Sequence, residues 1–330
     1  MDHRASGALH LIARHLLRDY IRRPPWPRSI RRAPGTTAKQ DLRVMQPYTR
    51  QHYVPAVYLQ QFSVDGRQST RKSHIWRLDR ERSKPVAVES QCGPKHFYSK
   101  CDSQGAEATF HEIEGVYGQI PQKIWLRERP SQKQYFALIL MMLDLHCRNI
   151  TYENLTAKEN LHAYKVRMQC MRDLMGDPNA PLSNEQFLER WQVRLFENED
   201  PSGLVTSDNP ALFFTLDQTS QLHLTIMPVT PSTCAVAFDS RFIQATGNHF
   251  SVHDGSLLNH YQQNHSYECL FAPHEFSPEQ QAFVRQQWKE RTPLGYVDER
   301  AWTPNLIRFP EGDPFGFLFK LEFNANGTRQ

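Results

Sequence analysis

Hydrophobic residues recur at helical spacing in several stretches of the chain. In QHYVPAVYLQQF, residues 51–62, the apolar residues after Pro55 fall on one side of a short helix. The same spacing predicts helices over about Ala106 to Leu126, over residues 131–148, and over about Ala157 to Met175. Helices therefore dominate the first half of the chain.

Three capping boxes mark predicted helix starts. Ser131-Gln-Lys-Gln134 precedes the most apolar helix, and Ser277-Pro-Glu-Gln280 adds a proline at the first helical position. Ser183-Asn-Glu-Gln186 stands before FLERWQVRLF, residues 187–196, and predicts that this stretch is helical.

Strand-like segments lie between these helices. They are His74-Ile-Trp-Arg-Leu-Asp, GLVTSDNPALFF, LHLTIMPVT and TCAVAF. Helices, then strands, then helices again is the order of an α+β protein and not of a doubly wound parallel sheet. We predict a mostly helical α+β domain over residues 47–330, with a central, mainly antiparallel sheet.

Residues 1–46 form a separate, basic extension. Apolar residues between Leu9 and Leu17 are spaced for an amphipathic helix, with arginines opposite, and prolines follow from Pro24. One interpretation is a membrane-binding or targeting helix. The other, which we favour, is a disordered or loosely attached extension, or upstream sequence translated before Met45, that packs poorly against the domain.

Charge and cysteine content indicate which partners and which cellular compartment the sequence favours. The formal net charge is +4, but residues 1–45 carry nine Arg and one Lys against three Asp, so the folded part is slightly acidic. A nucleic-acid partner is therefore not supported by the charge of the fold. The six cysteines form no Cys-x-x-Cys pair, and no apolar run is long enough to span a membrane, so we expect a cytoplasmic protein with reduced thiols.

Four pieces in order resemble the domain-of-unknown-function 4238 family. They are QHYVPAVYLQQF, LVTSDNPALFF, IMPVTP and LLNHYQQNHSYECLFAP, which together span about Arg50 to Ala272. The resemblance implies these boundaries but no reaction. The chain departs from the family near Leu145-His-Cys-Arg148, where a Gln shortly before the Arg is the expectation.

His52 has two interpretations. A histidine before a proline-initiated helix can bind a metal or move a proton near neutral pH. It can also bond a carbonyl group and fix the angle at which the chain enters the helix. The sequence alone favours the structural role.

Glu107, His111 and Glu114 lie at i, i+4 and i+7 of a predicted helix and share one face. Two carboxylates and an imidazole on one face suit a divalent metal. A solvated face beside the apolar stripe is the simpler interpretation.

The polar motif Thr206-Ser-Asp-Asn-Pro210 separates two strand-like runs. Asp208 and Asn209 stabilise turns through bonds to the backbone. Alternatively, Asp208 is a metal ligand or general base, and Ser207 or Asn209 orients a substrate. Ser207 lacks the Gly-x-Ser-x-Gly setting of a nucleophile.

Histidines crowd the stretch from His249 to His265. His249 and His253 have helical ligand spacing, but Gly247 and Gly255 flank them and argue against a helix there. We expect no metal site from these histidines.

The leading functional hypothesis is a metal-dependent hydrolase, with a nuclease as one candidate. His52, Glu107, Glu114 and Asp208 would converge on a divalent metal that activates water, with Asn209 beside them. The alternative is a non-enzymatic binding or immunity-type module that uses the same side chains as a buried hydrogen-bond network. The hydrolase hypothesis requires His52, Asp208 and at least one of the two glutamates to lie close together.

Overall fold

The computed structural model describes residues 52–93, 111, 113–147, 190–215, 224–245, 247–290, 306–308 and 321–323. The predictions for the N-terminal extension, for the helix at 157–175 and for Glu107 lie outside these residues. The domain boundaries therefore stay predictions.

Helices of the described residues pack against the strands. The first is short: α1 (Ala56–Leu59) continues into a 3₁₀ turn at Gln60–Phe62. Residues 113–117 are also helical. The others are α2 (Gln119–Trp125), α3 (Gln132–Cys147), α4 (Val252–His265) and α5 (Pro278–Glu290).

In the part of the chain that the structure describes, the strands form two larger sheets and one small one. In chain order they are β1 (His74–Asp79), β2 (Ser83–Ala87), β3 (Trp191–Asn198), β4 (Thr206–Ser207), β5 (Leu212–Thr215), β6 (Leu224–Thr230), β7 (Thr233–Asp239), β8 (Ile243–Ala245), β9 (His249–Phe250), β10 (Cys269–Ala272), β11 (Leu306–Arg308) and β12 (Leu321–Phe323). The orders are β2-β1-β10-β4, β11-β5-β6-β7-β3-β9 and β12-β8.

Pairing is antiparallel except between β11 and β5 and between β3 and β9. In the smaller of the two main sheets, Leu78 faces Leu270 and Phe271 faces Thr206. The α+β prediction with mainly antiparallel strands is confirmed, although the strands are divided among several sheets and do not form a single one.

Among the described residues, two hydrophobic cores hold these layers together. The first joins the six-stranded sheet to α4 through Phe196, Leu212, Phe214, Ile226, Val236, Phe238 and Leu258. The second joins the four-stranded sheet to α5 through Leu78, Val205, Leu270, Phe276, Val284 and Trp288. Apolar burial of this kind is the main favourable term in folding.

Two of the three capping boxes are confirmed. The Gln134 side chain accepts from the Ser131 amide over 2.8 Å, while Ser131 Oγ accepts from the Gln134 amide over 3.3 Å. Ser277 and Gln280 repeat this exchange at the start of α5, with Pro278 as its first residue. The predicted start at Ser183 lies outside the described residues.

The helix predicted through residues 187–196 is wrong from Trp191 onward. Residues Trp191–Asn198 form β3, and they pair with β7 along seven positions from Trp191↔Asp239 to Glu197↔Thr233. The sequence WQVRLFEN alternates apolar and polar residues in its first five positions, which is strand periodicity, and the upstream capping box outweighed this signal.

The expectation that the flanking glycines prevent a helix near His253 is also wrong, because Val252–His265 is helical. Ser251 caps α4, since its Oγ accepts from the Asp254 amide and the Asp254 carboxylate accepts from the Ser251 amide. Gly255 lies inside this helix. A Cβ at this position would collide with Asn198 and Asp200, which explains why the residue is a glycine. The glycine is a packing requirement and does not break the helix.

Within the described part of the chain, none of the helices has the length and apolar character needed to cross a bilayer.

Candidate functional site

His52 is held against residues 91–93 at the entry to α1. Its Nδ1 atom donates a hydrogen bond to the carbonyl oxygen of Gln91 over 2.9 Å, 39 positions along the chain. The Tyr53 amide makes a parallel contact, since it donates to the carbonyl oxygen of Cys92 over 2.9 Å. The His-Tyr pair therefore docks on the 91–93 segment.

Gly93 allows this close approach. A Cβ atom at position 93 would lie 2.6 Å from Cε1 and 2.7 Å from Nδ1 of His52. Carbon atoms do not approach so closely, so any larger residue would displace the imidazole. The position of His52 thus depends on a glycine that stands far from it in sequence.

The Tyr53 side chain enters a buried group with Cys92, Cys269 and Asp208, here called the Tyr53 cluster. Tyr53 lies within electrostatic range of Cys92, Cys269 and Asp208. Burial, reinforced by these neighbours, raises the pKa of the Tyr53 phenol far above its usual range. Arg77 borders the group and interacts electrostatically with both cysteines. Segments from four regions of the sequence meet here.

Asp208 is fully buried at the end of β4. Its Oδ1 accepts from the Tyr267 amide over 2.8 Å, and its Oδ2 accepts from the Glu268 amide over 2.7 Å. Burial raises the pKa of Asp208 to about 6, although the two amides act in the opposite direction. The carboxylate fixes the turn between α4 and β10.

Ser207 and Asn209 are also engaged. The Ser207 hydroxyl donates to Gln262 Oε1 over 2.8 Å and accepts from the Asn209 amide over 3.1 Å. Asn209 Nδ2 donates to the carbonyl oxygen of His265 over 2.9 Å. Asn209 Oδ1 is buried and has no hydrogen-bond partner in the part of the chain that is described.

Two side chains of α4 bind the backbone around this motif. Asn259 accepts from the Val205 amide over 2.8 Å and donates to the Gly203 carbonyl oxygen over 2.9 Å. Gln262 Nε2 donates to the carbonyl oxygen of Pro210 over 2.8 Å. The motif is thereby tied to the inner face of α4 on both sides.

The α1 helix joins the same set of bonds through Tyr58. Its hydroxyl donates to the carbonyl oxygen of Pro228 over 2.7 Å and lies 2.7 Å from Thr206 Oγ1. We call the whole set the polar network; its members are Tyr58, Thr206, Ser207, Asp208, Asn209, Asn259 and Gln262.

The predicted site residues have different surroundings. His52 binds Gln91, and it is the neighbouring Tyr53 that lies within electrostatic range of Asp208. Glu114 is half-buried in the helical residues 113–117. This segment is followed by Gly118, where an added Cβ would lie 3.2 Å from Val57 of α1. Glu107 is outside the described residues, so the predicted convergence of the four ligands stays a prediction.

A metal centre has no complete ligand set among the described residues. They contain no group of three or more His, Cys, Asp or Glu side chains arranged to hold a metal ion. Both carboxylate oxygens of Asp208 accept hydrogen bonds from backbone amides, and Glu107 lies outside the described residues. The metal site therefore stays a prediction.

The histidine-rich stretch divides into separate contacts. His249 Nδ1 lies 3.9 Å from both Glu197 and Glu199 at the surface, and His260 Nε2 shares a 2.8 Å hydrogen bond with Asn264. Asp254 is part of the α4 cap. These residues serve local structure.

Sequence reasoning missed Tyr53, Cys92, Cys269 and His146. The cysteines are 177 positions apart and follow no ligand spacing, so no sequence pattern joins them. His146 stacks on Phe213 with ring centroids 3.9 Å apart. Burial lowers the pKa of His146 to about 4. It occupies the stretch where the sequence departs from the family pattern.

A family model described as "Protein of unknown function (DUF4238)" matches residues 50–274. No curated protein and no solved structure matches the chain. The matched region covers more than half of the sequence and contains His52, the Tyr53 cluster and the polar network. The chain belongs to the DUF4238 family of proteins of unknown function.

Proposed function

We propose that the chain is a non-enzymatic binding module, in which the polar network is structural. The observation that carries this proposal is the state of Asp208. Its side chain has no solvent exposure, and each of its oxygens accepts a hydrogen bond from a backbone amide. A carboxylate engaged in this way shapes the chain and is closed to a substrate.

The network holds α4 in position, and α4 in turn supports a cavity. The cavity has a volume of about 270 Å³ and lies between the ends of α4 and α5, lined by Gln263, Asn264, Gln287, Trp288 and Glu290. Trp288 Nε1 donates to Ser266 Oγ over 3.1 Å, which fixes α5 to the end of α4. The motif residues therefore determine the shape of this surface indirectly.

The chemistry of the cavity suits a short peptide segment of a protein partner. Side-chain amides donate and accept hydrogen bonds as a peptide backbone does, and Glu290 adds a negative charge. Phe283, which is 46% exposed, lies beside His260 with ring centroids 6.0 Å apart and offers an apolar side chain on α5, the helix that carries Gln287. A partner with an extended, amide-rich or basic segment would match this lining.

Selection from a displayed peptide library tests the binding proposal. We expect enriched peptides to lose binding to Gln287→Ala and to keep it with Gln68→Ala, an exposed glutamine far from the cavity lining in sequence. Circular dichroism would verify that both variants remain folded. Equal binding by both variants, or no enrichment by the wild type, would contradict the peptide-binding proposal.

The metal-dependent hydrolase, including a nuclease, is the second candidate. The observation in its favour is that Asp208 lies within electrostatic range of Tyr53, the residue after His52, and that the buried Asn209 Oδ1 has no hydrogen-bond partner among the described residues. His52, Glu107, Glu114 and Asp208 would hold the ion. Chelator-sensitive cleavage of a nucleic acid or phosphodiester, abolished in Asp208→Asn, would support this candidate over the binding module.

A further inference from the structure

Two distant segments of the chain meet at an exposed surface. The guanidinium carbon of Arg67 lies 4.7 Å from the centroid of the Trp125 ring, which is a cation–π contact. Arg67 belongs to a 3₁₀ turn at Gly66–Gln68, and Trp125 is the last residue of α2. The contact therefore joins this 3₁₀ turn to the end of α2.

Both segments carry exposed apolar side chains. Leu126 is 59% exposed and Val64 is 48% exposed, and Trp125 between them in the structure is half-buried. The other exposed large apolar residues in the described part of the chain, Val252 and Phe283, lie on α4 and α5. Single exposed apolar residues are common on protein surfaces, but two on adjoining segments beside a tryptophan form a patch.

Basic residues accompany this patch. Residues 64–72 and 123–129 contain six basic side chains against two acidic ones, although residues 46–330 as a whole have a slight net negative charge. One of the acidic residues, Glu128, is paired with Lys123 over 2.9 Å. The exposed basic residues are Arg67, Arg71, Lys72, Arg127 and Arg129. The patch therefore has a locally positive surface.

Arg127 occupies a position that normally favours glycine. Its φ angle is 56°, in the left-handed region that residues with a Cβ rarely adopt. The Glu128 amide donates to the carbonyl oxygen of Lys123 over 2.8 Å, so Arg127 lies in the turn that ends α2. Glycine is the usual residue at such a helix end. An arginine here costs stability, which favours a role for its side chain beyond the turn.

We propose that this surface docks on a membrane that contains anionic phospholipids. We call it the Leu126 surface; its members are Val64, Arg67, Trp125, Leu126, Arg127 and Arg129. Leu126 and Val64 enter the boundary of the hydrocarbon region, Trp125 lies at the level of the headgroups, and the arginines contact lipid phosphates. A nucleic acid would also attract the arginines, but it offers Leu126 no hydrocarbon. Docking of this kind needs no membrane-spanning helix, and it is independent of peptide binding at the α4 and α5 cavity.

Vesicle flotation with the full-length protein tests the proposal. We expect binding to vesicles made of phosphatidylcholine and phosphatidylserine in equal amounts, and weaker binding to phosphatidylcholine alone or at high salt. Leu126→Gln should lower the partition coefficient by about tenfold or more, because an apolar side chain no longer leaves water. Val252→Gln, at an exposed apolar position on α4, is the matched control and should bind like the wild type. The basic residues 1–46 are the same in all variants, so the comparison of these two variants decides.

Arg127→Gly separates the charge from the fold. Glycine adopts the left-handed conformation without strain, so the unfolding temperature should rise. The loss of one positive charge should at the same time lower the partition coefficient by about fivefold. A variant that binds vesicles as the wild type does would show that the Arg127 charge takes no part, which would contradict the proposal.

Three results would overturn membrane docking. One is equal binding by Leu126→Gln and Val252→Gln, each verified as folded by circular dichroism. Another is equal binding of the wild type to vesicles with and without phosphatidylserine. The third is binding to a single-stranded oligonucleotide that is tighter than binding to vesicles and is lost in Arg127→Gly, which would assign the surface to a nucleic acid.

Discussion

Asp208 shows how a residue can be conspicuous in sequence while its role is hidden. The Ser-Asp-Asn-Pro motif is readable, and so is its position between two strands. The partners of Asp208 are backbone amides 59 and 60 residues further along the chain, and any residue type supplies an amide. The sequence could therefore indicate that Asp208 matters but could not distinguish a structural carboxylate from a metal ligand.

Removal of Asp208 should destabilise the fold. In Asp208→Ala the amides of Tyr267 and Glu268 stay buried without acceptors, at a cost on the order of 1–3 kcal/mol for each. Urea unfolding at about pH 5 measures this loss. At that pH the wild-type carboxyl is mostly protonated, so the cost of burying its charge does not mask the loss of the two hydrogen bonds. Asp65→Ala, at an exposed position, is the control and should change stability by less than about 0.5 kcal/mol.

The pKa of Asp208 predicts a pH dependence. Folding raises it from 3.8 to about 6, so the folded state binds the proton more tightly than the unfolded state. The stabilisation is present below pH 4 and is lost as the pH rises through 6, by roughly 3 kcal/mol in total. The unfolding free energy of the wild type should therefore fall, relative to that of Asp208→Asn, between about pH 4 and pH 7. Parallel pH profiles for the two proteins would be evidence against this assignment.

At the scale of elements, the sequence predicts helix starts correctly where the hydrogen-bond partners are close in sequence. The capping boxes at Ser131 and Ser277 are satisfied within three residues, and both helices begin as predicted. The error at β3 arose because strand formation depends on β7, more than 35 positions away. The prediction that Gly255 argues against a helix was wrong for a related reason. The groups that exclude a side chain at position 255 belong to residues 198 and 200, which are distant in sequence.

Glycine substitutions test this account of α4. Alanine normally stabilises a helix relative to glycine by up to about 1 kcal/mol. Gly255→Ala should instead destabilise the protein by about 1–3 kcal/mol, because the new Cβ would collide with Asn198 and Asp200. Gly115→Ala is the matched control, because its Cβ would meet no atom within 4 Å. Thermal unfolding of the two variants should shift in opposite directions.

At the scale of the whole molecule, Tyr58 connects the two main sheets. Thr206 belongs to β4 of the four-stranded sheet, and Pro228 belongs to β6 of the six-stranded sheet. The sequence predicts that Tyr58 is buried, but it does not reveal that the strands divide between sheets. Fold class could therefore be predicted from the order of elements, whereas the arrangement of the sheets depends on distant contacts.

The Tyr58 hydroxyl should contribute measurably to stability. Tyr58→Phe leaves the Pro228 carbonyl without its donor and Thr206 Oγ1 without this partner, and we expect a loss of about 1–3 kcal/mol in urea unfolding. Tyr117 is a matched control, with its ring centroid 6.0 Å from that of Tyr58 and a buried hydroxyl that finds no partner among the described residues. Tyr117→Phe should be neutral or stabilising. Equal losses in both variants would indicate a packing effect.

The central claim is that Asp208 is a structural carboxylate in a binding module and does not hold a metal. Thermal unfolding of the wild type and Asp208→Asn, each with chelator and with excess magnesium, manganese or zinc, tests it most directly. A metal at about 100 times its dissociation constant would stabilise the folded state by about 2.7 kcal/mol. We predict that the metals leave the wild-type midpoint at its chelator value. A metal-dependent rise in the wild type that disappears in Asp208→Asn would contradict the account.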